Sequence, residues 1–178
     1  MFLETKRLYL RKMTLEDQDD LDLLLKDTGI TYAYEHDFTD EDVVKWIEDN
    51  IQTYEESGYG LMAVILKEND RFIGQAGLVK VKEEEDDLTE VFYLLKREYW
   101  HNGYAIEAAR ALSNYAFDYL NQDKVYAQIR FDNYPSKNVA KRLGMKPIKL
   151  FNVKVYGTDI MHDLYEINKT TFDKNNNI

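Results

Sequence analysis

The sequence predicts an α/β (α+β) protein of one domain, with a mixed sheet of about seven strands and about four helices. A length of 178 residues allows a sizeable core but is short for two domains. Strand-like and amphipathic helical segments follow the order β-α-α-β-β-β-α-β-α-β-β, without an internal repeat or an interdomain linker. We expect a single domain over residues 1–178, ordered to about residue 170, with a disordered tail over 171–178.

The first half of the chain predicts three strands and two helices. Each strand is an apolar or alternating run, and each helix starts at a threonine that can cap its first turn. The strands lie over residues 8–13, 61–66 and 71–79. The helices lie over about residues 14–27 and 39–57, and an aromatic, polar loop over 28–38 separates them.

The second half predicts four strands and two helices. The strands lie over residues 88–96, 124–131, 148–156 and 161–167. The acidic run 83–87 before the first of them is expected to be a solvated loop. One helix begins at Ala105 with small and apolar residues on one face, and a shorter helix over about 136–143 ends at Gly144.

Composition and charge argue against several classes of function. The net charge of -10, without a basic cluster, argues against a nucleic-acid partner and favours cationic ligands such as amines. The chain has no cysteine, which removes thiolate chemistry and disulfides and is typical of a cytoplasmic protein. No signal peptide is evident, and no apolar run approaches the roughly 20 residues of a membrane span. Three scattered histidines without metal-ligand spacing predict no metal site.

One stretch of the second half indicates a phosphate-binding turn. Residues 90–110 combine a strand, a sharp turn around Gly103 and an alanine-rich helix. Such a turn presents backbone N–H groups at a helix N-terminus, where a phosphate can bind. A lone glycine before a helix is more often a tight connection, so the turn gains weight from the companion segment 133–145.

The two segments together resemble the acetyl-CoA-binding motifs of the GNAT superfamily of N-acetyltransferases. The likeness is to the branch that acetylates ribosomal-protein N-termini and small amines. Its motifs are Glu90-Val91-Phe92-Tyr93 on the strand, Tyr99–Ala108 at the turn, then Asn133, Ser136 and Leu143-Gly144-Met145. The resemblance covers nearly the whole chain. It implies a GNAT-like domain with a mostly antiparallel sheet splayed at its centre, and acetyl-CoA as co-substrate.

The resemblance also implies where acetyl-CoA binds. The pantetheine arm is expected along the backbone of Tyr93, Leu94 and Leu95, on a strand whose bulge frees an N–H for the thioester carbonyl. Asn133 and Ser136 are expected at the arm and the sulfur. The main-chain N–H groups expected to cradle the pyrophosphate belong to His101, Asn102, Gly103, Tyr104 and Ala105.

Two positions depart from the family pattern. The usual Gly-Lys before the turn glycine is His101-Asn102, so a lysine charge is missing. The tyrosine that acts as general acid in many relatives is replaced by Ala140. Protonation of the thiolate would then come from Ser136, from water or from no group.

Glu90 is the candidate general base, acting directly or through a water. Acetyl transfer needs a neutral amine, and amines with a pKa of roughly 8–10.5 must lose a proton at neutral pH. The alternative for Glu90 is a solvent-facing residue without a role. Tyr32, Tyr34 and His36 in the loop over 28–38 are candidate acceptor-binding residues, with ordinary loop packing as the alternative.

The sequence thus predicts an N-acetyltransferase that moves an acetyl group from acetyl-CoA to a primary amine by direct attack on the thioester. The acceptor is a small cationic amine or a protein N-terminus. The alternative is a non-catalytic acyl-CoA-binding or regulatory module of the same fold, and a nucleic-acid-binding domain is a distant third. The final two strands could pair with those of a second copy, so a homodimer is a possible assembly.

Overall fold

The computed structural model describes residues 3–83 and 86–176, which form one eight-stranded sheet with helices on both faces. The strands are β1 (Leu3–Glu4), β2 (Leu8–Lys12), β3 (Leu61–Leu66), β4 (Arg71–Glu83), β5 (Asp86–Leu95), β6 (Lys124–Arg130), β7 (Lys146–Val155) and β8 (Thr158–Asn168). Their order across the sheet is β1-β2-β3-β4-β5-β6-β8-β7. All neighbours are antiparallel except β5 and β6.

The α-helices are α1 (Gln18–Leu25), α2 (Thr28–Thr31), α3 (Asp40–Ser57), α4 (Tyr104–Asp118), α5 (Tyr134–Leu143) and α6 (Lys169–Asn176). Short 3₁₀ turns lie at Leu15–Asp17, Tyr32–Tyr34 and Arg97–Tyr99. The predicted fold class is confirmed, with eight strands where about seven were expected and six helices where about four were expected. Within the described ranges, no helix combines the length and hydropathy needed to cross a bilayer.

The sheet separates two apolar layers. On one face, α4, α5 and α6 pack on the strands through residues such as Leu112, Leu143 and Phe172. On the other face, α1 and α3 pack through residues such as Leu24 and Ile47. Both faces of the sheet are therefore buried, which explains why β3 is apolar at all six positions.

Two predicted loops contain regular structure. The acidic run 83–87 lies partly in strands, since β4 ends at Glu83 and β5 starts at Asp86; residues 84 and 85 lie outside the described residues. One diagonal ion pair links the two strands here, because Lys80 Nζ lies 2.8 Å from Asp87 Oδ2. The loop over 28–38 contains α2, whose first turn is capped by Asp27 through the Gly29 N–H.

β5 and β6 separate almost at once. Across their described lengths they pair at a single position, Glu90 opposite Tyr126. Beyond it the two strands line opposite sides of a cavity. The expected splay of the sheet is confirmed. The bulge expected on β5 is absent, since β5 pairs with β4 in unbroken register over ten positions. The register shifts instead between β3 and β4, at Val64/Ile65.

The ten-residue strand β7 forms one edge of the sheet. Its outer positions are exposed, including Lys146, Pro147, Lys149 and Lys154, and its register with β8 shifts at Pro147/Lys149. The opposite edge is the two-residue strand β1.

The predicted disordered tail over 171–178 is wrong for residues 171–176, which continue α6; residues 177 and 178 lie outside the described residues. The segment is polar except for Phe172, whose side chain is 1% exposed and packs 5.2 Å from the Phe117 ring. Asn168 caps the helix by accepting the Thr171 N–H. A single buried ring and a cap hold a segment whose composition alone indicates disorder.

Phe172→Ala is expected to lower the free energy of unfolding by about 3 kcal/mol, because it leaves a cavity against Phe117. The measurement is urea unfolding followed by circular dichroism. The exposed Lys174→Ala in the same helix is the matched control and should change little. Equal stability of the two variants would contradict the packed position of α6.

Candidate active site

The gap between β5 and β6 holds a cavity of about 230 Å³. Its wall combines apolar strand residues with a few polar side chains, an arrangement typical of small-ligand sites. The polar side chains that line it are Tyr34, Glu90, Tyr93, Gln128, Arg130, Asn133, Ser136 and His162. We refer to this cavity as the wedge pocket.

Glu90 lies where the sheet splits. Its side chain is buried, and Oε1 accepts the Gln128 N–H at 2.9 Å, so the carboxylate occupies the place of a strand partner for β6. Burial penalises the charged form and raises the pKa of Glu90 to about 7, while the hydrogen bond from Gln128 partly opposes that rise. Glu90 is therefore not a solvent-facing glutamate, and it exchanges a proton near neutral pH.

Two tyrosines in the wedge pocket remain protonated. Burial raises the pKa of Tyr34 and of Tyr93, and the nearby charge of Glu90 raises both further. The Tyr93 hydroxyl donates to the Ser136 carbonyl at 3.1 Å. The pocket thus holds one carboxyl group that titrates near neutral pH and two tyrosine hydroxyl groups that are protonated at that pH.

A larger cavity of about 730 Å³ lies between β5, α4 and α5. Both cavities are lined by Ile30, Tyr93, Leu94, Asn133 and Ser136, so they meet beside β5. We refer to the larger cavity as the long cleft. A molecule lying in it along β5 would bring one end to the wedge pocket.

The turn before α4 closes the far end of the long cleft. Gly103 is the N-cap residue with φ of 79°, a left-handed conformation that glycine adopts without strain, and α4 begins without a side-chain cap. The first N–H groups of α4 therefore have no partner within the helix. His101, Gly103, Tyr104 and Ala105 line the cleft, whereas Asn102 does not.

The N-terminus of α5 borders both cavities. Asn133 is its N-cap, and the side-chain oxygen accepts the Ser136 N–H at 3.1 Å. Pro135 lies in the first turn, where its missing N–H costs nothing. The amide oxygen of Asn133 therefore stabilises the start of the helix, and Ser136, in its first turn, lines both cavities.

The three predicted acceptor-binding residues occupy different places. Tyr34 lines the wedge pocket, and Tyr32 lines the long cleft instead. His36 lines neither cavity. Its ring stacks on Tyr156 with centroids 3.8 Å apart, and Nε2 lies 3.1 Å from Asp42 Oδ2. The stack joins the turn between β7 and β8 to the segment before α3.

Arg130 and His162 are site residues that the sequence reasoning missed. They lie opposite each other on β6 and β8. Arg130 makes ion pairs of 2.8 Å with Glu35 and with Asp132. Burial lowers the pKa of His162, and its Nδ1–H donates to the Ile160 carbonyl at 2.8 Å. No short-range motif marks either residue, because strand register alone brings them to the pocket.

The pKa of Glu90 predicts a pH-dependent stability difference. A folded-state pKa above the ordinary 4.5 means that the native protein holds this proton more tightly. The stability from that proton is full below pH 4.5 and is lost as the pH rises through about 7. Relative to wild type, Glu90→Gln should therefore gain up to about 3 kcal/mol in unfolding free energy between pH 4 and pH 8.

The measurement is urea unfolding of both proteins across that pH range. The exposed Glu98→Gln on the turn after β5 serves as control and should run parallel to wild type. A constant difference between Glu90→Gln and wild type would show that Glu90 titrates at its ordinary pKa.

Comparison with known proteins identifies the family of this chain. A family model described as an acetyltransferase (GNAT) domain matches residues 7–146. The uncharacterized protein YkkB of Bacillus subtilis is 34% identical over 167 residues, which cover 86% of this chain and 96% of YkkB. The uncharacterized N-acetyltransferase p20 of Bacillus licheniformis is 34% identical over 149 residues, covering 81% of this chain and 82% of p20.

Solved structures share the fold. A GNAT-family acetyltransferase from Bacillus anthracis superposes with a TM-score of 0.82 at 24% identity, covering 96% of this chain and 99% of that one. Spermidine N-acetyltransferase from Vibrio cholerae, solved with CoA and spermine, gives a TM-score of 0.76 at 14% identity, covering 94% and 99%. With the family model spanning most of the sequence, the chain belongs to the GNAT family and is an N-acetyltransferase.

Proposed function

We propose that this N-acetyltransferase transfers the acetyl group of acetyl-CoA to a primary amine, a small cationic amine or a protein N-terminus, with Glu90 as general base. The observation that carries the proposal is a buried carboxyl group with a pKa of about 7 in the wedge pocket, which meets the long cleft beside β5. A base poised near the working pH combines a useful ionised fraction with useful proton affinity.

The long cleft fits acetyl-CoA. Its volume of about 730 Å³ suits a large ligand, and the uncapped N-terminus of α4 offers N–H groups and a positive dipole end for the pyrophosphate. The pantetheine arm would lie along Tyr93, Leu94 and Leu95, where β5 has lost its neighbour β6. Acetyl-CoA supplies an acyl group activated as a thioester.

The chain's own groups complete the reaction. The acceptor enters the wedge pocket as an ammonium, and Glu90 takes its proton directly or through a water. The amine nitrogen then bonds to the acetyl carbon as the carbon–sulfur bond breaks. CoA leaves as a thiolate, and the second proton that the nitrogen loses passes to it directly or is relayed by Ser136, Tyr93 or a water. With no cysteine in the chain, direct transfer without an acyl-enzyme is the simpler route.

Two features support a cationic acceptor. The net charge of -10 attracts amines over a distance, and the tyrosines of the wedge pocket offer ring faces and hydroxyl oxygens to an ammonium group. The Vibrio cholerae enzyme of the same fold acts on spermidine. Structural neighbours of the chain also include a ribosomal-protein-S5-alanine acetyltransferase, which keeps peptide N-termini among the candidates.

The experiment is an assay of thiol release from acetyl-CoA against a panel of polyamines, amino acids and peptides with free N-termini. We expect amine-dependent thiol release and an N-acetylated product by mass spectrometry. Binding of CoA without turnover on any amine would contradict the proposal and favour a binding module.

Glu90→Gln is expected to lower kcat/KM by about 10²-fold, because the base is lost while the hydrogen bond from Gln128 can persist. For wild type, kcat/KM should rise through a pH near 7, and in the variant this inflection should disappear. The CoA dissociation constant, measured by calorimetry, is the control and should stay constant. Full activity of the variant across the pH range would remove Glu90 as base.

Ser136→Ala and Tyr93→Phe separate the two candidate proton donors. Since a CoA thiolate is a good leaving group, loss of its donor should lower kcat by no more than about 10²-fold. We expect the larger loss in Ser136→Ala, because the Tyr93 hydroxyl is engaged with the Ser136 carbonyl. Steady-state kinetics at saturating amine checks this order. A larger loss in Tyr93→Phe would assign the role to Tyr93.

A further inference from the structure

The helix that would bind the pyrophosphate carries an acidic residue in its first turn. Glu107 lies in the first turn of α4, and its side chain is 17% exposed. A negative charge at that end of a helix stabilises the helix itself, but it opposes a second anion bound there. An N-terminus that binds phosphate must therefore have this charge cancelled.

The N-terminal segment cancels it with three contacts. Arg7 Nε lies 2.7 Å from Glu107 Oε2, and the Arg7 N–H donates to Oε1 at 2.8 Å. The Thr5 hydroxyl donates to the same Oε1 at 2.6 Å. Burial would raise the pKa of Glu107, but the donors from Thr5 and Arg7 together lower it, so the group stays ionised and paired.

Arg7 also contacts the turn itself. Its Nη1 donates to the Asn102 carbonyl at 2.9 Å, and its guanidinium carbon lies 4.4 Å from the centre of the Tyr104 ring. Gly103 lies between these residues, and a Cβ there would be 3.5 Å from Arg7 Nη2. One guanidinium group thus contacts Asn102 and Tyr104, the residues on either side of Gly103.

The contact with Asn102 bears on how the turn would present its N–H groups. A carbonyl dipole aimed into the long cleft would repel a phosphate. Arg7 holds the Asn102 carbonyl instead, and Asn102 is absent from the residues that line the cleft. The next residues, Gly103 and Tyr104, line it.

We propose that Arg7 is a positioning residue for the CoA phosphates: it neutralises Glu107 and holds the turn so that its N–H groups face the anion. The inference rests on the proposed binding of acetyl-CoA in the long cleft. The residue acts through Glu107 and Asn102 and contacts no reacting atom. The turn between β1 and β2 therefore serves the co-substrate site as well as joining two strands.

Four variants test the charge argument: Arg7→Met, Arg7→Lys, Glu107→Gln and the double variant Arg7→Met/Glu107→Gln. Arg7→Met should weaken CoA binding and raise KM for acetyl-CoA roughly tenfold or more, the size expected for an unpaired charge, with kcat nearly unchanged. Arg7→Lys should recover part of the loss. The double variant should bind CoA more tightly than Arg7→Met, because the uncompensated carboxylate is gone.

Glu107→Gln alone keeps Arg7 in place and provides a test that does not depend on removing it. This variant should bind CoA at least as tightly as wild type. Lys169→Met is the matched control, since it breaks the Lys169–Asp118 pair of 2.7 Å at the opposite end of α4 and should leave CoA binding unchanged. Calorimetry with CoA, steady-state kinetics and thermal unfolding without ligand are measured for every variant.

Wild-type CoA affinity in Arg7→Met would overturn the inference, and so would a double variant as weak as Arg7→Met or a Glu107→Gln variant weaker than wild type. A wild-type protein that fails to bind CoA at all would instead overturn the proposed function. The two failures are therefore distinguishable in one set of measurements.

Discussion

The site depends on one hydrogen bond at the split in the sheet. Where a parallel ladder would continue from β5 to β6, the Glu90 carboxylate accepts the Gln128 N–H, and the strands part. The same contact ends the sheet pairing, opens the wedge pocket and buries the carboxyl group whose pKa burial raises to about 7. The residue at which the pairing of β5 and β6 ends is thus also the residue with the raised pKa, Glu90.

Helix N-termini and unpaired strand edges supply the rest of the site. The start of α4 faces one end of the long cleft, and the start of α5 lies where the cleft meets the wedge pocket. The side chain of Asn133 caps the N-terminus of α5, whereas α4 has no side-chain cap. This difference supports the proposed binding of the pyrophosphate at α4, while α5 places Ser136 beside the pocket.

The sequence alone predicts the fold class and most strand and helix centres, because periodicity and caps are local. It misses α6, since one buried ring at Phe172 outweighs a polar composition only through tertiary packing. It names Glu90 and Ser136 as candidate site residues, and both line the wedge pocket, but it does not predict that His36 stacks on Tyr156 outside the pocket. Arg7 and Glu107 are 100 positions apart, and no local sequence motif predicts a contact over that separation.

The exposed edge at β7 has a consequence for assembly. A long edge strand offers a template for another chain, and proteins block such edges with lysines, prolines and irregular register. β7 carries Lys146, Lys149 and Lys154, together with Pro147 at a register shift. These residues disfavour direct pairing of β7 with a second copy of the sheet, because charged side chains and a residue without an N–H lie along the edge.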